Sequence, residues 1–424
     1  MDSLEIHSLF NDQQSLKKYV KKDLVRVYDS VLQPGANRVK FTCHTLVNKL
    51  IDYSEAFIIF DGYISSSTGT ALANGNIVSI QNGTNSLFAD IKLSFNNNEV
   101  EHNRRPDIST TWLNLLELSP DYAGSLGVQW GFVKDLALNG GGNDDVATLR
   151  MAIGGADLGT VTGAGGGLPA RFVVRYIVPL KYISQFCRRL TFPIINQLVE
   201  LELALNHNNR LIFRRGAQAS EMTMTGAQLL APEVVLPTSE NTKLMKEISS
   251  GKFVKELEWD SMDYILTNTQ VTGNNQFEVL LGTNLTGVKK LLFMVHGHVD
   301  SQQHVQTGSE INVRNFNVEI DSKDLYNMNV ATDQEAYRLV SENFNSQGKD
   351  VNTGSLLPYT DWLSRYRLYA VDLSRQEIFE SDPNVVQTIR LRGTPSANGQ
   401  LIVVLAKNRK TRIDFANPQN TKTI

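Results

Sequence analysis

The sequence predicts an all-β protein of the sandwich or jelly-roll class. Three observations predict it: many short segments that alternate apolar and polar residues, turn-forming clusters between them, and helical patterns that are few and short. In chain order the alternating segments are FADIKLSF (88–95), FVVRYIV (172–178), VELELAL (199–205), FNVEI (316–320), RLYAV (367–371), TIRLR (388–392) and LIVVL (401–405). Each puts every second side chain on one face, which suits a half-buried strand. Asn, Gly, Ser, Thr and Asp cluster between them and mark turns. Helical spacing appears in SLKKYVKKDLVRVYDSVL (15–32), TWLNLLEL (111–118), PLKYISQF (179–186) and DQEAYRLVSENF (333–344).

Bulk properties narrow the function classes. The chain has 424 residues, longer than one ordinary hydrophobic core organises, so two domains are expected. With 41% hydrophobic and 20% charged residues it can bury a large core. A net charge of −3 excludes a polycation that coats nucleic acid along its whole length. Two cysteines, Cys43 and Cys187, exclude a disulfide framework. No apolar run reaches the ~18 residues of a membrane helix. MDSLEIHSLFNDQQ lacks the basic and apolar regions of a signal peptide, so synthesis inside the cell without secretion is expected.

The two halves share a pattern. Ile91, Leu93, Phe95 and Val100 match Phe316, Val318, Ile320 and Leu325 at one constant offset, and both sets flank a polar turn. At the same offset Trp112 meets Tyr337, each an aromatic in the helical segment after its hairpin. The register then drifts, because the next strong strand begins near Arg171 in one half and Tyr366 in the other. A duplicated unit with an insertion in the first copy accounts for this. The excess is the glycine-rich stretch NGGGNDDVATLRMAIGGADLGTVTGAGGG (139–167). It has no GK[ST], and its glycines do not open a helix after a buried strand, so it reads as an exposed loop and not as a phosphate cradle.

Catalytic signatures are sparse. HGHVDSQQH (296–304) places His296 and His298 on one face of a continuing strand with Asp300 beyond, a spacing that can hold a metal. The hydrolase pattern H-x-H-x-D-H needs a histidine where Ser301 stands, so the ligand set is incomplete and no bound metal is expected. No G-x-S-x-G elbow occurs, and neither cysteine lies in a motif. No catalytic residue and no cofactor site is assigned, and a non-enzymatic role leads. Lys17, Lys18, Lys21, Lys22 and Arg26 form a basic segment interleaved with Leu16, Tyr19, Val20 and Leu24, and KNRKTR (407–412) is a second basic run after the last strand.

The order of segments resembles the double jelly-roll major capsid (hexon) proteins of Polinton-like and adintovirus-like DNA viruses. The first half carries the likeness in LVNKLIDYSEAFIIFDGYI (46–64), NSLFADIKLSFNNNEVE (85–101), FVVRYIVPLKYISQF (172–186) and LVELELALNHNNRLIFR (198–214). The second carries it in KELEWDSMDYIL (255–266), VKKLLFMVHGHVD (288–300), NVRNFNVEIDSKDLYN (312–327), YRLYAVDLSRQ (366–376), VVQTIRLRG (385–393) and LIVVLAKN (401–408). The glycine-rich insertion and the polar HGHVD depart from that pattern.

The resemblance implies two tandem antiparallel eight-stranded jelly rolls with a few short helices. A basic arm would occupy 1–36, the first jelly roll 37–235 with the insertion at 139–167, and the second 236–424. The implied function is structural: homotrimers of pseudo-hexameric outline tile an icosahedral virion shell around a DNA genome. The implied partners are the chain itself, neighbouring trimers, penton and minor capsid proteins, and the packaged genome through the basic arm, with no small-molecule substrate. Two rivals are a lectin-like jelly roll that binds through the glycine-rich loop and a metal-dependent hydrolase that uses HGHVD.

Overall fold

The computed structural model describes residues 21–28, 37–44, 49–66, 77–80, 84–120, 171–206, 212–215, 220–251, 253–265, 269–297, 308–343, 356–374 and 386–423. The first half contributes β1 (Lys21–Tyr28), β2 (Arg38–His44), β3 (Phe57–Ser66), β4 (Phe88–Phe95), β5 (Asn98–Arg104), α1 (Pro106–Glu117), β6 (Arg171–Pro179), α2 (Gln185–Arg189), β7 (Leu198–Leu205) and β8 (Ser220–Val235). A helix, α3 (Thr238–Ser249), leads into the second half. That half holds β9 (Val254–Ile265), β10 (Phe277–Leu285), β11 (Val288–His296), β12 (Val313–Ile320), β13 (Lys323–Asp324), α4 (Asp333–Glu342), α5 (Tyr359–Ser364), β14 (Tyr369–Asp372), β15 (Gln387–Pro395) and β16 (Gly399–Asp414).

These strands build two pairs of antiparallel sheets. The first pair runs β1-β8-β3-β6 and β2-β7-β4-β5, and the second runs β9-β16-β11-β14 and β10-β15-β12-β13. In both halves one sheet takes the first, eighth, third and sixth strands, and the other the second, seventh, fourth and fifth. Successive strands therefore cross between sheets except at the β4–β5 and β12–β13 hairpins, which is the jelly-roll connection. The identical order is what a duplicated unit requires, and the starts of β4 and β12, Phe88 and Val313, keep the offset seen in the sequence.

The turn chemistry repeats as well. The β4–β5 hairpin turns on Asn96 and Asn97, with φ of 49° and 66°, and the β12–β13 hairpin on Asp321 and Ser322, with φ of 48° and 67°. Two successive left-handed residues match the twist of the flanking strands, and short polar side chains tolerate that conformation. Ile91, Leu93 and Phe95 are buried in the first core and Phe316, Val318 and Ile320 in the second, as the alternation predicts. α1 and α4 follow the hairpins. Thr332 and Glu335 close a capping box on α4, with each side chain accepting from the other residue's N–H.

Four expectations need correction. The helix read over 15–32 is a strand across Lys21–Tyr28, paired from Lys21↔Val235 to Tyr28↔Gln228. The long β8 offers a row of backbone donors and acceptors, and satisfying them outweighs a helical hydrophobic pattern that is also rich in β-branched residues. The turn-forming cluster TSENT (238–242) is not a turn but the start of α3, which follows the end of β8. That helix has Pro237 as its N-cap, Glu240 in its first turn and Lys246 in its last, and it buries Leu244 and Ile248 one turn apart. PLKYISQF is split into a 3-10 turn over Leu180–Tyr182 and the short α2, whose N-cap Ser184 accepts from Cys187 N–H. The basic run 407–412 lies inside β16, not after it.

Candidate functional site: the seam and the outer sheet faces

The two halves share their cores. Phe186 of α2 meets Phe95 edge-on at 5.4 Å and Trp259 of β9 at 5.9 Å, so one aromatic row crosses between the halves. Trp259 Nε1 donates to Thr411 Oγ1 at 3.0 Å. Phe415, just past β16, sits against Phe192 and Phe253 with ring centroids 6.2 and 5.3 Å away. Leu257, Trp259, Ile413 and Phe415 thus belong to the first core, while Trp112, Leu113, Leu115 and Leu116 of α1 belong to the second.

The polar part of the seam is built from amides. Asn96 Nδ2 donates to the Pro418 carbonyl at 3.0 Å, Asn98 Nδ2 to Thr421 at 2.9 Å, Asn196 Nδ2 to Phe415 at 2.8 Å and Gln197 Nε2 to Asp414 at 3.0 Å. The segment after β16 is therefore strapped onto the first half through its backbone carbonyls. Buried carbonyls need such donors, and short amide side chains supply them without charge.

A lone carboxyl and an ion pair lie deep beside the seam. Glu101 of β5 is buried and accepts from the Ser184 hydroxyl, from Gln185 N–H at 2.7 Å and from Phe186 N–H at 3.3 Å. Burial pushes its carboxyl up to about 7, against the opposing pull of those donors. Arg188 of α2 pairs with Glu117 of α1 at 2.9 Å and donates to Asn114 Oδ1 at 3.0 Å, which ties the two helices together.

The residues singled out in the sequence do not converge on a reaction centre. His296 ends β11 opposite Gln400, while His298, Asp300 and His304 lie outside the described residues. Among the described residues no three His, Cys, Asp or Glu are grouped to hold a metal. Burial pushes the Cys187 thiol well up, which keeps it protonated. Lys21, Lys22 and Arg26 lie in β1, while Lys17, Lys18 and the stretch 139–167 are outside the described residues. The run 407–412 faces acidic β9: Lys407 pairs with Asp263 and Lys410 with Glu256, both at 2.6 Å. Trp259, Phe415 and Glu101 went unnoticed in the sequence. Only the lone Trp in the polar strand KELEWDSM signalled a buried contact.

The outer faces of the smaller sheets carry charge. On the first, Arg38 pairs with Glu202 at 3.0 Å and Lys40 with Glu200 at 2.6 Å. On the second, Arg390 pairs with Glu278 at 3.5 Å and Glu319 at 3.6 Å, and Arg392 with Asp324 at 2.6 Å. Leu280 is 50% exposed among them.

No protein-family model matches this sequence, and no curated protein matches it. Solved structures do match its fold. A chain of the Sputnik virophage, from a 3.5 Å cryo-EM structure, aligns with a TM-score of 0.62 at 8% identity over 96% of this chain and 89% of that one. The mavirus major capsid protein aligns with a TM-score of 0.59 at 10% identity, over 95% and 90%. The Faustovirus major capsid protein aligns with a TM-score of 0.53 at 8% identity, over 92% and 90%. At such identities the likeness speaks for the fold alone, and that fold is the double jelly roll of virophage and large DNA virus major capsid proteins.

Proposed function

We propose that this chain is the major structural subunit of a virion shell. The observation that carries the reading is the tandem repeat of one strand order, matched end to end by known major capsid proteins. In this reading the first jelly roll spans 37–235 with β1 added as its edge strand, and the second spans 236–424. Three copies bring six similar units around one axis, so the trimer has a pseudo-hexagonal outline and tiles an icosahedral lattice. The virus is a DNA virus of Polinton-like or adintovirus-like kind. Penton and minor capsid proteins close the shell, and the basic N-terminal segment that carries Lys17, Lys18, Lys21, Lys22 and Arg26 contacts the packaged genome. The role is non-enzymatic and needs no cofactor.

Sedimentation velocity on the purified full chain tests this. Trimers or multiples of trimers are expected at micromolar concentration, because obligate interfaces bury more than ~2,000 Å² and do not dissociate in that range. A clean monomer at both low and high salt contradicts the reading.

A further inference from the structure

The duplicated halves can be compared position by position through strand register. Leu93 faces Leu201 in the first half, and its counterpart Val318 faces Leu391 in the second. Glu200 and Glu202 of β7 therefore correspond to Arg390 and Arg392 of β15. Leu201 in turn faces Phe41, and Leu391 faces Val279. Lys40 of β2, opposite Glu202, therefore corresponds to Glu278 of β10, opposite Arg392.

All three corresponding charges are reversed. The same diagonal ion pair is present on both sheets with its signs exchanged: Lys40–Glu200 at 2.6 Å in one, Glu278–Arg390 at 3.5 Å in the other. Cross-strand pairing within a sheet requires only opposite charges. It does not require the sign of the central strand to invert between copies of a duplicated unit.

These side chains point away from both cores. Lys40 is 49% and Glu278 57% exposed, and the neighbouring Leu280 on β10 is half exposed. One face has an acidic central strand flanked by a basic strand, and the other has a basic central strand flanked by an acidic residue. Turned face to face with strands antiparallel, β7 lies over β15 and β2 over β10, and opposite charges meet on both.

We infer that the outer face of β2–β7 in one copy of this chain docks on the outer face of β10–β15 in a neighbouring copy. The inference deepens the shell reading and rests on it. Because the two faces differ, the contact is head to tail, as a tiling subunit needs. Charge complementarity then sets which half meets which, and like halves repel.

A charge-exchange series tests it. The variant K40E/E200R/E202R gives these three positions the signs of the second face and keeps the Lys40–Glu200 pair in reversed form, at the loss of the exposed Arg38–Glu202 pair. The variant E278K/R390E/R392E keeps Glu278–Arg390 in reversed form, at the loss of Arg390–Glu319 and Arg392–Asp324, and exposed pairs of this kind add little to stability. Each variant alone should weaken copy-to-copy association in low salt by about tenfold or more, with the thermal unfolding midpoint retained. The six-fold variant should restore association. If a triple variant does not fold, E200Q/E202Q and R390Q/R392Q replace it and should weaken association and flatten its salt dependence. Association of folded triple or neutral variants as tight as the parent's overturns the inference while the shell reading stands. A parent chain that never associates overturns both.

Discussion

Glu101 shows how one residue carries a cost of the seam. Its carboxyl is fully buried, has no cation among its hydrogen-bond partners, and sits between β5 and the start of α2. The folded state holds its proton at about 7 and the unfolded chain near 4.5, so protonation favours the fold. This contribution is fully present below pH 4.5 and is lost as the pH rises through 7. A tenfold change in proton affinity corresponds to ~1.4 kcal/mol, so the loss is about 3 kcal/mol at most. Calorimetry from pH 5 to 8 should show that E101Q, which cannot ionise, removes this part of the wild-type pH dependence. Parallel curves for the two proteins would contradict the assignment. Phe415 is the matching apolar case. Its ring fills the space between Phe192 and Phe253, and F415A should cost about 3–5 kcal/mol in denaturant unfolding, as deletion of a buried aromatic does.

Among the elements, β1 decides whether the N-terminal segment is an arm or part of the sandwich. It covers one edge of the β1-β8-β3-β6 sheet over eight residue pairs. Removing residues 1–28 should expose that edge and yield aggregated protein, whereas removing 1–18 should leave soluble protein; equal solubility would refute the edge role. The sequence was a good guide to strands with strict alternation. Ile91, Leu93 and Phe95, with Phe316, Val318 and Ile320 at the same spacing in the second half, disclosed both the hairpins and the duplication. It misled where two periodicities compete, as in DLVRVY, where the open edge of β8 chose the strand. It was silent about α3, because turn-forming residues in PTSENTK also make good helix starts. The seam was illegible for another reason. Nothing local to Asn96, Asn196 or Gln197 says that a carbonyl from the far end of the chain needs a donor.

At the scale of the whole molecule, the shared cores make the halves interdependent. Trp259 and Phe415 complete the first core, and Trp112 and Leu116 complete the second. Unfolding should therefore be a single calorimetric transition, and two well-separated transitions would show that the seam couples them weakly. Association should respond to the charges on the outer faces, while the seam, held by aromatics and uncharged amides, should be far less sensitive to salt. The central claim is that a duplicated jelly roll lets three chains fill a six-cornered outline. Electron microscopy of the purified full chain tests it most directly. The account predicts trimers with six similar lobes around a threefold axis, singly or in curved arrays. Two-lobed monomers alone, at concentrations where the chain is folded, would contradict it.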